Sequence, residues 1–486
     1  MAFYKQKKTT FIRLYDEFGY IKSTTSYCDQ VFDKSGMLFL KHISREPKDL
    51  SNIADEIVKE FIDVTKEDII DDVREFFDNL VEDSFLVKGD TIELLEMNDV
   101  AFSYDSIINY TTKEDYTPII KRSDEDSQVV LNDIFLNNPY LLSFQIELTS
   151  KCNERCIHCY IPHEFKDTDI KDELFYSVLK QLREMNALNL TLSGGEPLAH
   201  PHFKDYLKAS LDSDFSVIIL TNLTLLDDEI IQIVKQNPNC SFQTSLYSMN
   251  PEHHDAITKV KGSFEKTKDA IEKLIANNIQ VQISCPMMSV NKDDFVDVIK
   301  WAHSHKIRAY TDISIMAKYN HDTSNLANRL TVKECEKVIL SLLEYDTDYQ
   351  ETILEPDFEI RCNTINEDPN ERFCGVGFTS CCMVSNGNVY PCSGWQGFVC
   401  GNLYKNTLED IWNNSKEMNY LRKLRKGDIK ECLNCEHKAF CSPCLSRFAN
   451  ESPTGNPLEV AHHFCEVAKI NKKLVLEWRR KKLNQK

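Results

Sequence analysis

Cysteine placement constrains this chain more than any other feature. The 486 residues hold eighteen cysteines, of which Cys152, Cys156 and Cys159 form one tight group and eleven lie between Cys362 and Cys465. Only Cys28, Cys240, Cys285 and Cys335 are scattered, and these four read as small buried hydrophobes. A secreted disulfide scaffold is short, whereas this chain is long enough for about three domains. In a long intracellular chain, clustered cysteines bind metal or iron–sulfur clusters, and a cytoplasmic protein is expected.

A hydrophobic content of 42% allows a real core, and a formal net charge of −19 argues against nucleic-acid or anionic-membrane partners, which reward cationic faces. No run of about 18 apolar residues suggests a membrane span. The opening MAFYKQKKTT lacks the apolar core of a secretory signal.

Residues 1–100 read as a small α+β unit. TTFIRLY and YCDQVFD look like short strands, the second ending at a turn near Asp33 to Gly36. Ile53, Ile57 and Phe61 mark a helix, and a second begins near Thr65 with Asp68 as a capping-box acid. FLVKGDTIELL looks like a closing hairpin, which makes a winged-helix shape. Residues 101–142 form a linker whose KRSDEDSQ stretch is solvated. Between 143 and 345, strands at 144–149, near 191, 216–220, 241–246, 279–285 and 309–315 alternate with helices at 171–187, 202–211, 227–235, 263–277 and 293–305. Six such units predict an α/β fold, a partial (β/α)6 TIM-like barrel with ligand chemistry at the carboxyl ends of its strands. Residues 346–486, cysteine-rich from about Phe358 and poor in periodicity, are expected to draw their order from metal clusters. The basic EWRRKKLNQK reads as an exposed helix end.

The chemistry-bearing motifs fall at strand ends. TSKCNERCIHCY places Cys152, Cys156 and Cys159 in a C-x3-C-x2-C loop after the first barrel strand. Three thiolates can hold three irons of a cubane and leave the fourth open, whereas a structural zinc or a ferredoxin cluster wants four ligands. His158, between two of the cysteines, is awkward as a fourth zinc ligand. LSGGEP puts Gly194, Gly195 and Glu196 after the second strand. Paired glycines admit close backbone approach, and a carboxylate accepts from an amino group. Thr221 and Asn222 end the third strand and Ser245 the fourth, where they suit a ribose or carboxylate, or merely cap the strands. Further on come Cys374, Gly387 and Cys392, then Cys432, Cys435, Cys441, Cys444 and Cys465. Taken alone, these also fit zinc ribbons.

On these residues the chain resembles the radical S-adenosylmethionine (SAM) superfamily. The resemblance implies a SAM-binding [4Fe–4S] cluster on Cys152, Cys156 and Cys159. Its free iron would grip the methionine end of SAM, and reductive cleavage would give a 5′-deoxyadenosyl radical. Gly194, Gly195 and Glu196 would meet the SAM amino group, Thr221, Asn222 and Ser245 its ribose or carboxylate, and His158 its adenine. The C-terminal cysteines resemble the SPASM domain, with two auxiliary [4Fe–4S] clusters. By position, Cys374, Cys392 and Cys444 would serve the first, with Cys381 or Cys382 as fourth ligand or an open iron. Cys432, Cys435, Cys441 and Cys465 would serve the second. The last cysteine pair here is C-x2-C where the SPASM pattern has C-x3-C, a departure that bears on Cys444. The N-terminal unit resembles a PqqD-like peptide-recognition domain, which captures a leader peptide by strand addition. Together these imply a maturase of a ribosomally made precursor peptide, supplied with electrons by a flavodoxin or ferredoxin. Thioether formation is the expected reaction. Carbon–carbon crosslinking, epimerisation with Cys285, Cys335 or Cys362 as hydrogen donor, sulfatase-maturase-like oxidation of a protein and a non-enzymatic zinc or redox regulator are the alternatives.

Overall fold

The computed structural model describes residues 2–25, 28–104, 134–135, 138–364 and 368–484. The KRSDEDSQ stretch lies outside the described residues.

The N-terminal unit begins with β1 (Phe3–Gln6), β2 (Thr10–Leu14), β3 (Gly19–Ser23) and β4 (Asp29–Phe32). Helices Lys34–Leu40, Leu50–Ile57 and Lys66–Glu82 follow, with β5 (Lys48–Asp49) between the first two and β6 (Leu86–Gly89) after the third. The strands make two antiparallel sheets, β5-β1-β6 and β2-β3-β4. Thr65 and Asp68 form the expected capping box. Three local expectations fail. The turn at Asp33 is a helix start, because its Oδ1 accepts from Ser35 N and Gly36 N at 3.0 and 2.9 Å. Phe61 does not continue the face of Ile53 and Ile57, because the α-helix ends at Ile57 and Phe61 is exposed. The closing hairpin is absent: Thr91 Oγ1 accepts from Leu94 N and starts a helix, Ile92–Asn98. That helix brings Glu96, with Asp99 just beyond it, onto the Lys5 ammonium at 2.6 and 2.9 Å, and β6 pairs with β1.

The central sheet carries β7 (Ser143–Thr149), β8 (Asn189–Gly194), β9 (Ser216–Leu220), β10 (Cys240–Ser245), β11 (Val281–Pro286) and β12 (Ala309–Asp312), all parallel and in sequential order. Each lies within a few residues of its expected position. Helices such as Asp172–Glu184 and Ser263–Ala276 flank the strands, their Phe175, Val178, Ile271 and Leu274 sharing one apolar core with strand residues such as Phe144, Ile146 and Leu148. Alternation along β7 then turns Gln145 and Glu147 to the barrel interior. The helix Pro251–Thr258, capped by Asn250, was not read from the sequence.

The C-terminal part holds more regular structure than its composition suggests. β13 (Ser380–Met383) joins the sheet parallel to β7, and β14 (Asn388–Tyr390) and β15 (Gly401–Asn402) extend it antiparallel to nine strands. The first barrel strand is therefore internal to the sheet. A 22-residue helix, His462–Leu483, closes the domain. Its basic tail is only partly exposed: Arg479 is buried, with its guanidinium on Ile353 O and Glu359.

The N-terminal unit docks at the amino ends of the barrel strands. Buried Arg13 donates to Ala187 O, before β8, at 3.1 Å and to Asp214, before β9, at 2.8 Å. Phe11, Tyr15, Phe18 and Tyr20 share an apolar cluster with Leu188.

Candidate functional site

At the opposite, carboxyl ends of the strands lies a cavity of about 300 Å³. Cys152, Cys156, Cys159 and His158 enter it from the loop after β7, and Gly194 and Gly195 from the end of β8. Thr221 and Asn222 line it after β9, and Ser245 at the end of β10.

The backbone explains why the two motifs meet. Gly195 N donates to Thr149 O at 2.7 Å and Glu196 N to Lys151 O at 2.9 Å, so the glycine turn is laced to the start of the cysteine loop. A Cβ on Gly194, whose φ is +153°, would lie 2.3 Å from Thr149 O, and one on Gly195 2.3 Å from Lys151 O. Farther along, Arg155 N and Ile157 N donate to Thr258 O and Ile257 O at 2.9 and 3.0 Å, laying the loop against the helix Pro251–Thr258.

Glu196 differs from its expected place. Its carboxylate is fully buried, accepting from Thr221 Oγ1 and Leu198 N on Oε1 and from Asn222 N on Oε2, and it does not line the cavity. Burial pushes its carboxyl up to about 7. It ties β8 to the end of β9, and the cavity wall at this motif is made by the two glycines. His158 is pushed down to about 4 by burial, so it is a neutral ring at neutral pH, edge-on to Tyr247 with centroids 5.3 Å apart. Sequence reasoning missed Glu154, Tyr160, Lys166, Gln243, Tyr247 and His254, which also line the cavity. Glu154 and Tyr160 sit within and beside the cysteine motif and were findable there; the others carry no local signal.

The donor set suits an inorganic group larger than one ion. A structural zinc would hold four ligands at about 2–2.3 Å, and the loop brings three thiols to the cavity. The three thiols face a shared volume. Burial raises Cys152 to about 11, and the Lys166 ammonium donates to Cys159 Sγ at 3.3 Å.

Two further thiol groups form in the C-terminal part. Cys432, Cys435, Cys441 and Cys465 line one cavity of about 300 Å³. Their mutual repulsion adds to burial in raising Cys432 and Cys441 to about 11. Cys392 is likewise raised to about 11, first by burial and then by neighbouring Cys444 and Cys374. Cys381 and Cys382 point to opposite faces of β13. Cys381 sits in the apolar core that also holds Cys400, while Cys382 Sγ contacts Tyr390 O at 3.5 Å and lies on the side of Glu147 and Cys392. Cys240, Cys285 and Cys335 are buried, as expected for small hydrophobes, and Cys28 is half-buried. Neither Cys285, Cys335 nor Cys362, the suggested hydrogen donors, lines the strand-end cavity.

Residues 146–302 match the model of the radical SAM superfamily. The chain carries a radical SAM domain, and its cofactors are a SAM-binding [4Fe–4S] cluster, auxiliary iron–sulfur clusters and SAM. It also carries an iron–sulfur cluster-binding SPASM domain, matched over 374–436, and a PqqD domain, matched over 30–86. It is 26% identical over 348 residues to an AdoMet-dependent heme synthase of Methanosarcina barkeri, covering 66% of this chain and 95% of that one. It is 24% identical to the antilisterial bacteriocin subtilosin biosynthesis protein AlbA of Bacillus subtilis, covering 65% and 69%. Its fold is shared with Streptococcus suis SuiB, solved bound to the precursor peptide SuiA, with a TM-score of 0.58 and 13% identity over 94% of this chain and 99% of SuiB. Among the described residues no helix is long and apolar enough to cross a membrane.

Proposed function

We propose that the protein matures a ribosomally made precursor peptide, docking its leader on the N-terminal unit and forming thioether bonds in its core. The observation that carries this reading is a PqqD domain and a SPASM domain on one radical SAM chain. The similarity to AlbA and the fold shared with SuiB support it.

In this reading Cys152, Cys156 and Cys159 hold the SAM-binding cluster, and Lys166 offsets their negative charge. When bound, that cluster supplies the electron that splits SAM into methionine and a 5′-deoxyadenosyl radical. The backbone of Gly194 and Gly195 receives the amino-acid end of SAM, and Thr221, Asn222 and Ser245 hydrogen-bond its carboxylate and ribose. Neutral His158 packs beside adenine. Cys432, Cys435, Cys441 and Cys465 hold one auxiliary cluster, and Cys374, Cys392 and Cys444 the other. Cys382 serves as fourth ligand of that set or leaves an iron for the substrate sulfur. Electrons come from a flavodoxin or ferredoxin.

The leader docks on β4. Ser23 N donates to Cys28 O at 2.9 Å, and Ile21 pairs with Gln30 two residues along. By antiparallel alternation the backbone groups of Asp29 and Val31 point outward from the sheet. That edge runs beside the helix Lys66–Glu82, where Gln30 Nε2 reaches Asp83 Oδ2 at 2.8 Å. A leader strand there would add hydrogen bonds at Val31. Proline at Val31 removes an outward donor, worth about 1 kcal/mol or more, and blocks close pairing. Leader affinity measured by fluorescence anisotropy is therefore expected to fall at least tenfold in Val31→Pro, and modification at limiting peptide to fall with it. The full test is mass spectrometry of a small peptide encoded beside this gene after co-expression. A loss of two hydrogens per bond supports crosslinking, and unchanged mass with inverted chirality replaces it with epimerisation. Normal affinity and processing in Val31→Pro would refute docking on this edge.

A further inference from the structure

We infer that Glu147 is the catalytic proton acceptor for bond formation on the peptide. The inference rests on the function proposed above and adds a residue to it.

Glu147 is on the interior face of β7, 3% exposed, and belongs to neither the cysteine sets nor the wall of the strand-end cavity. Gln396 Nε2, from the C-terminal part, donates to its Oε1 at 2.9 Å. Among the described residues no hydrogen bond or ion pair engages its Oε2, yet that oxygen is not among the sealed, unpartnered polar atoms of the interior. One oxygen is thus anchored and the other is open.

Its surroundings place it between two cysteine groups. β7 runs from Glu147 into the loop that carries Cys152, Cys156 and Cys159, and Gln396, whose amide holds Glu147, lies four residues beyond Cys392. β13 pairs with β7 so that Cys382 stands opposite Gln145, on the same face of the sheet as Glu147. A substrate residue that meets a radical formed beside the Cys152–Cys159 loop and is oxidised near Cys392 would lie next to this carboxylate. A buried carboxylate without an ion pair is costly to keep, and here a single amide holds it. No packing role offsets that cost. Burial also raises its carboxyl to about 7, the range suited to a general base at neutral pH.

A peptide carbon gives a hydrogen atom to the 5′-deoxyadenosyl radical, forming 5′-deoxyadenosine. The carbon radical bonds the peptide cysteine sulfur as its S–H bond breaks. The proton passes to Glu147 Oε2, and the remaining electron passes to an oxidised auxiliary [4Fe–4S] cluster. The peptide loses two hydrogens in all.

The experiment uses the full-length, reconstituted enzyme with a peptide deuterated at the attacked carbon, and reads crosslinked product per deuterated 5′-deoxyadenosine. This ratio refers each product to its own abstraction event, so it is independent of how much enzyme is active. In Glu147→Gln the ratio is expected to fall at least tenfold, with deuterium still reaching 5′-deoxyadenosine. Glu147→Asp is expected to recover most of it. A ratio in Glu147→Gln equal to wild type overturns the assignment, as does an Asp variant no better than the Gln variant. Failure of the wild type to crosslink any peptide would instead count against the proposed function.

Discussion

Replacing Cys156 with alanine is expected to abolish reductive cleavage of SAM, lowering 5′-deoxyadenosine formation by at least about a thousandfold under a strong reductant. The proposed SAM-binding cluster has only three protein ligands. Cys156 is pinned on both sides, by Arg155 N on Thr258 O and Ile157 N on Ile257 O, and among the described residues only Cys152, Cys156 and Cys159 bring thiols to the cavity. Loss of one thiolate from a three-ligand site removes a third of its protein bonds, whereas the C-terminal thiol groups lie on other elements. Iron held by Cys432, Cys435, Cys441 and Cys465 is therefore expected to survive the substitution. Anaerobic turnover followed by chromatographic detection of 5′-deoxyadenosine checks the first part, and iron analysis the second. Cleavage at the wild-type rate would remove the loop from the chemistry.

The second large effect is expected from a single methyl group. Gly195→Ala puts a Cβ 2.3 Å from Lys151 O and 2.5 Å from Ser150 O, both backbone atoms that no rotamer can move aside. Relief requires the glycine turn and the start of the cysteine loop to part, breaking the bonds Gly195 N to Thr149 O and Glu196 N to Lys151 O. Overpacking of this kind costs about 1–3 kcal/mol, and the two hydrogen bonds add about 1 kcal/mol each. The displaced atoms are the ones that orient Cys152. Gly195→Ala is thus expected to weaken SAM binding at least a hundredfold and to lower cluster occupancy, while Gly262→Ala, where a Cβ meets open space, is expected to leave SAM binding unchanged although its φ is +81°. Equilibrium binding of SAM to the reconstituted protein measures both.

Much of this was legible in the sequence because the barrel repeats one pattern. Short apolar strands and amphipathic helices alternate with enough periodicity that all six barrel strands were found, and the ends of the first four announced their functional residues. Of the seven expected cofactor contacts, Glu196 alone turns away from the cavity, because three local donors compete for its carboxylate more effectively than a site facing a void. Elsewhere the period was too short to read. The Ser380–Met383 strand is four residues among cysteines, and its pairing with β7 is a contact across more than two hundred positions. The false hairpin after Leu86 failed because Thr91 caps a helix whose acids serve Lys5, a long-range ion pair without a local signature. Glu147 was invisible for the same reason: an acid inside a strand gains its meaning only when Gln396 arrives from far along the chain.

Iron and sulfide counted per chain after anaerobic reconstitution test the account most directly, with wild type compared to a variant lacking the thiols of Cys152, Cys156 and Cys159. Three cubanes predict about twelve irons in wild type and about eight in the variant, together with loss of the change that SAM induces in the reduced cluster's electron paramagnetic resonance. Equal iron in both proteins, or zinc in the loop, would contradict it.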